Sequence, residues 1–174
     1  MNFRKRTIVP LACALAFASP FALAEKAGKG DAKALQDLAQ ANMAEVAAGK
    51  LASQKAQSPE VKKFAQHMLD DHGKQLAEVK QMAQSKEVTL PAAPNARHQS
   101  AMKKLEGMSG EEFDRAYMSQ MVKDHGEALT LVQKTAKQSK DGQLKAAAQK
   151  AEPEIRAHLD MAQKLSGRTG AKSQ

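Results

Sequence analysis

The feature that most restricts the fold is a helical period of apolar residues. It recurs in four long segments and is broken each time by residues that cannot continue a helix. From about Ala32 to Ala56 the period is carried by Leu35, Leu38, Ala39, Val46, Gly49, Ala52 and Ala56. Ser58-Pro59-Glu60 then ends one helix and opens another, with Ser58 at the N-cap and Pro59, which has no N–H to lose, at the first helical position. The second helix runs to about Gln84 on Val61, Phe64, Ala65, Met68, Leu76, Val79 and Ala83. Pro91 and Pro94 break the pattern between Ser85 and Gly107, a connection in which His98 to Leu105 is compatible with a short helix. Ser109 and Glu112 read as a capping box for a third helix on Phe113, Ala116, Tyr117, Met121, Leu129, Val132 and Ala136. Asp141-Gly142 precedes a fourth, on Leu144, Ala148, Ala151, Ile155, Ala162 and Leu165, where Pro153 is expected to kink or restart the chain.

The two middle helices repeat one another at an offset of 53 residues. Phe64, Met68, Asp71-His72-Gly73, Leu76 and Val79 align with Tyr117, Met121, Asp124-His125-Gly126, Leu129 and Val132. Two hairpins with short turns, joined by one long connection, are the plan of a ferritin-like four-helix bundle; an up-and-down bundle would have a short loop at that point. The predicted class is therefore all-α, and abundant Ala, Lys, Gln, Leu and Met without Trp favours it.

The N-terminus has the three regions of a secretory signal: Arg4-Lys5-Arg6, an apolar run from Thr7 to Ala24, and Ala22-Leu23-Ala24 before Glu25. Residues 1–24 are expected to be cleaved, because Pro10 and Pro20 interrupt a run already marginal for a membrane span. Cys13 would leave with them, so the mature chain has neither a disulfide nor a thiolate ligand and rests on packing. The expected compartment is the periplasm, with the bundle over residues 25–166 and a polar, disordered tail over 167–174.

The formal net charge of +8 loses three cations and no acid with the leader, which leaves +5. Lysines are interspersed with Asp and Glu along every segment, arginines are few and aromatics sparse. That is a solvated surface rather than a nucleic-acid groove.

Polar residues stand where core residues belong. On the first helix Leu38, Asn42, Glu45, Gly49 and Ala52 share a stripe, which places a carboxyl group among apolar positions. His72 lies between Met68 and Leu76, His125 between Met121 and Leu129, and His158 between Ile155 and Ala162. One per helix and at similar depth, Glu45, His72, His125 and His158 are candidate metal ligands. Glu154, one turn before His158, and Asp71 and Asp124, each next to a histidine, are candidates for the same site or for orienting its imidazoles. The donors suit a divalent transition metal: Zn, Mn, Fe, Ni or Cu. The competing reading is a buried, metal-free polar network in which Glu45 pairs with a histidine. His67, on a charged face, and His98, in the crossover, read as solvated. Met43, Met68, Met121 and Met161 lie near these residues; thioether beside imidazole suits Cu(I), and methionine equally fills core gaps.

Asn42-Met43-Ala44-Glu45-Val46, Phe64-Ala65 through Asp71-His72, Phe113 through Tyr117 with Asp124-His125, and Pro153 through His158-Leu159 resemble the bacterial exported proteins grouped as domain-of-unknown-function family 4142. The resemblance spans the mature chain and implies a ferritin-like bundle in the periplasm or outer envelope, with no settled activity. Di-iron bundles carry Glu-x-x-His on two helices; here the nearest spacing is Glu154-x-x-x-His158. A ferroxidase is therefore not supported, and a histidine-rich site for one metal fits better. Three functions follow: a non-enzymatic metal-binding protein, a metal-free structural or stress-related envelope module acting through protein partners or as a homo-oligomer, and a metal-dependent scavenger of peroxide or superoxide. The last needs an open coordination position, for which the sequence offers no sign.

Overall fold

The structure, a computed structural model, describes residues 26–171; the leader expected over residues 1–24 lies outside them. The chain forms α1 (Lys29–Lys55), α2 (Pro59–Ser85), α3 (Ala96–Glu106), α4 (Gly110–Gln138) and α5 (Gly142–Ala171). No strand occurs among the described residues, and no helix there is long and apolar enough to cross a membrane. The expected all-α bundle is what forms.

α1 packs along α2, and α4 along α5, each pair closed by a turn of three residues. The turns contain what the sequence predicted at the first junction: Ser58 caps α2, its side chain accepting from the Val61 N–H at 3.4 Å, with Pro59 at the first position. At the third junction the expected capping box does not form. Ser109 is the N-cap, but its side chain makes no cap hydrogen bond, and the chain enters α4 through Gly110 at φ +60°, a left-handed conformation that glycine adopts without strain.

Two polar clamps set the hairpins against each other. Asp114, buried near the start of α4, accepts the backbone N–H of Gln57 at 3.0 Å and of Ser58 at 2.7 Å in the α1–α2 turn. At the opposite end Lys86, which closes α2, pairs with Asp141 in the α4–α5 turn. α2 and α4 therefore begin at one end of the bundle and finish at the other, giving the order up, down, down, up. Such an order needs a connection that travels the bundle's length, and residues 86–109 supply it. Within it α3 lies against α1 and α4 and buries Leu105 in the core, so the crossover contributes an element as well as a link.

Two further expectations are corrected. α5 does not restart at Pro153; the residue is exposed, and so is Gln149, whose carbonyl the missing N–H would have bonded, so water can take that carbonyl's partner position. The last helix also continues to Ala171, past the point at which the disordered tail was expected to begin.

The core divides about one polar layer. Val61, Phe64, Met68, Phe113, Tyr117, Met118 and Met121 pack toward the α1–α2 turn, while Leu35, Met82, Leu144, Val132, Ala148 and Ile155 fill the other end. α1 approaches α2 closely at Gly49, where a Cβ would lie 2.9 Å from the Ala65 carbonyl oxygen and 3.2 Å from the Leu69 nitrogen. Both are backbone atoms, so neither yields unless the helix moves. Gly49→Ala should therefore destabilise by roughly 1–3 kcal/mol, outweighing a helix-propensity gain of about 1 kcal/mol. Gly73, with nothing near its missing Cβ, is the control. Gly73→Ala should stabilise by roughly 0.5–1 kcal/mol. Urea midpoints at unchanged m-value measure both.

Candidate metal centre

The polar layer contains Asn42 and Glu45 from α1, His72 from α2, His125 from α4 and His158 from α5, all buried. The three imidazoles form a nearly equilateral group, with ring centroids 5.3, 5.4 and 5.5 Å apart. One nitrogen from each ring lies within 4.8 Å of those of the other two. His72 and His125, equivalent in the repeat, meet from opposite corners of the bundle.

Hydrogen bonds on the far side of each ring decide which nitrogen faces inward. The Asn42 amide nitrogen donates to the Leu38 carbonyl at 2.9 Å, which turns Oδ1 toward His72 Nδ1 at 2.9 Å. An amide oxygen only accepts, so Nδ1 carries the hydrogen and Nε2 is a bare lone pair in the neutral ring. His125 Nδ1 likewise donates to the Met121 carbonyl at 2.9 Å, leaving its Nε2 bare. These two Nε2 atoms are 3.3 Å apart. His158 Nε2 lies 3.3 Å from Asp71 Oδ2, and its Nδ1 is buried with no hydrogen-bond partner. Three inward imidazoles are thus each oriented by an acceptor behind them, the support found around metal-bound histidines.

Burial holds all three in the neutral form. It pushes His72 well below the usual histidine range, with repulsion from His125 and His158 adding to the effect. Burial takes His125 down to about 4, opposed by its bond to Met121. His158 is lowered by burial too, against the pull of Asp71. Glu45 moves the other way: burial, then the nearby Asp124, raise it well above the usual carboxylate range. Its Oε1 stands 3.8 Å from His125 Nδ1, but that N–H is already given to Met121, so the contact is not an ion pair. Glu45 Oε2 and the Tyr117 hydroxyl are also buried without a hydrogen-bond partner.

The seven candidate residues are therefore sorted. His72, His125 and His158 come together. Glu45 is in the layer but lies behind His125 rather than among the inward nitrogens. Asp71 orients His158. Asp124 faces the crossover, where it accepts from Gln120 at 2.8 Å and Arg97 at 3.2 Å. Glu154 is exposed and accepts from Gln75. Met68 and Met121 belong to the apolar core. A cavity of about 270 Å³ reaches Asn42, Glu45 and His72 from the end of the bundle that holds Met82 and Leu144.

Both histidines expected to be solvated are corrected in part. The His98 side chain is only 9% exposed and stands 3.6 Å from Asp124, because α3 folds down onto α4. His67 is half-exposed, yet its ring packs edge-on against His158 at 5.2 Å and its Nε2 is 3.4 Å from Asp71 Oδ2. The sequence signal for it was the His67-x-x-x-Asp71 spacing, one helical turn.

The chain belongs to the family described as domain of unknown function (DUF4142), whose model matches residues 16–165. No curated protein and no solved structure matches it.

Opposed shifts give the metal-free protein a stability maximum. Below pH 6.5 the unfolded chain takes up a proton that His125 refuses until about pH 4, so stability falls with pH across that window. At ~1.4 kcal/mol per pH unit, His125 alone accounts for about 3 kcal/mol. Above the usual carboxylate range the unfolded chain releases a proton that folded Glu45 keeps, so stability falls as pH rises. Glu45→Gln should raise the melting temperature at pH 8, by about 2–4 °C for each kcal/mol recovered. Near pH 4, where both states keep the carboxyl protonated, it should change little. Thermal melts in chelator at the two pH values check this.

Proposed function

We propose that this chain is an exported, periplasmic metal-binding bundle that holds one divalent transition ion on His72, His125 and His158 and has no catalytic turnover of its own. The observation that carries this reading is the facing pair of lone pairs on His72 Nε2 and His125 Nε2, 3.3 Å apart. Two neutral acceptors at that distance repel unless a cation lies between them. A proton is disfavoured there by the burial that lowers both rings. The separation also matches the edge of a tetrahedron with metal–nitrogen bonds of about 2.0–2.1 Å, which is about 3.3 Å. The bare Nδ1 of His158 supplies a third donor.

Imidazole donors suit Zn, Cu, Fe and Ni, and the affinity order among divalent ions would favour copper at equal availability. A fourth position falls to Glu45, after a side-chain movement, or to water. Export accounts for the leader, the lack of cysteine in the mature chain and the polar lysine-rich surface. Nucleic acid is not a partner on this reading.

The protein should retain about one equivalent of Zn²⁺ after gel filtration. At a hundredfold excess of free ion over its dissociation constant, the fold should gain about 2.7 kcal/mol, seen as a rise in melting temperature. His72→Ala with His125→Ala should abolish the retention and most of the rise at the same ion concentration. Elemental analysis that finds no retained metal, together with a melting temperature indifferent to chelator, would overturn the proposal.

A further inference from the structure

Behind His158 a second group of donors reaches the surface. Asp71 Oδ2 stands 3.4 Å from His67 Nε2 and 3.3 Å from His158 Nε2, and one donor atom from each of the three lies within 4.8 Å of the others. Lys74 holds the other carboxylate oxygen, Oδ1, at 3.4 Å, which leaves Oδ2 turned to the two rings. Exposure falls inward along the group, from His67 at 48% to Asp71 at 28% and His158 at 3%. A surface cleft of about 340 Å³ contains all three, with Glu154 on its wall.

We propose that His67, Asp71 and His158 form an outer site that captures a divalent transition ion from solvent and passes it to the three buried imidazoles. The inference rests on the metal-binding reading above. Two imidazoles and a carboxylate make a competent donor set for the same class of ion. His158 belongs to both groups, with its Nε2 facing Asp71 and its Nδ1 buried without a partner. A neutral imidazole has one lone pair. While Nε2 binds the outer ion its hydrogen sits on Nδ1; when Nδ1 binds the inner ion the hydrogen returns to Nε2 and is held by Asp71. The ring therefore serves one site at a time, and the outer ion must leave as the inner site fills. Beside the cavity that reaches Asn42, Glu45 and His72, the buried site acquires a second approach along which a hydrated ion sheds water in steps.

Rapid mixing of the full chain with Co²⁺, followed by its visible absorption, tests this. His67→Ala should slow loading of the inner site at least tenfold, the lower end of the effect of charge-lined clefts on association, about 10–10³. Its final occupancy and spectrum should be unchanged. His72→Ala with His125→Ala should still bind one weaker equivalent of Co²⁺, lost when His67→Ala is added. An unchanged loading rate in His67→Ala, or no His67-dependent binding in the double variant, would overturn the outer site and leave the inner one standing. Weak, His67-dependent binding in the unmodified protein with no inner-site spectrum would overturn the buried site and leave this one as a surface site.

Discussion

Everything about this bundle follows from placing imidazoles in a hydrocarbon core. Each ring brings one donor and one acceptor out of water, and an unmet polar group in such surroundings costs about 1–3 kcal/mol. The fold answers by giving every N–H an acceptor: an amide oxygen for His72, a backbone carbonyl for His125 and a carboxylate for His158. The bare nitrogens that remain are gathered at one depth. Their meeting depends on helix register, which the two end clamps control. Asp114 ties the start of α4 to the α1–α2 turn, and Lys86 ties the end of α2 to the α4–α5 turn. Slipping either hairpin by one turn would move its histidines by about 5.4 Å, enough to dissolve the group.

The repeat shows how one pattern was put to two uses. His72 and His125 occupy equivalent positions and meet nitrogen to nitrogen, their rings edge-on. The aspartates before them do not remain equivalent. Asp71 looks to His158 on α5 and to His67 one turn before it on α2. Asp124 looks to the crossover: burial pushes its carboxyl up, but His98, then Gln120 on its own helix and Arg97, bring it below the usual range. One aspartate serves the imidazole group; the other anchors the segment that makes the up, down, down, up order continuous.

Much of this was legible in the sequence because helices bury stripes. The spacing of Val61, Phe64, Ala65 and Met68 located α2, and the same logic exposed His72, His125, His158 and Glu45 as polar residues on apolar stripes. Periodicity speaks of one helix at a time, however. It could not tell that Glu45 would sit behind His125 rather than beside its inner nitrogen, since that depends on rotation of α1 against α4. Nor could it bring His67 against His158 of α5, or His98 against Asp124 of α4. The capping box failed for a related reason: Gly110 offered a left-handed entrance to α4 that no propensity for Ser109 would reveal.

The layout of charge distinguishes this core from a carboxylate-rich one. The inward donors are nitrogens, and Asp71, Asp124 and Glu154 stand outside them. Burial raises Glu45 well above the usual carboxylate range, which favours its neutral form and reduces the charge that the metal-free layer must bury. A dication placed among the three nitrogens reverses the local balance. It favours the ionised form of any carboxyl nearby, as an opposite charge within a few ångströms does. Glu45 and Asp71 flank the site from two sides, on α1 and α2. The ionised form of Glu45, one of whose oxygens has no partner, would then be favoured. On the metal-binding reading, Glu45 and Asp71 are the two carboxyls whose charge would compensate a bound ion.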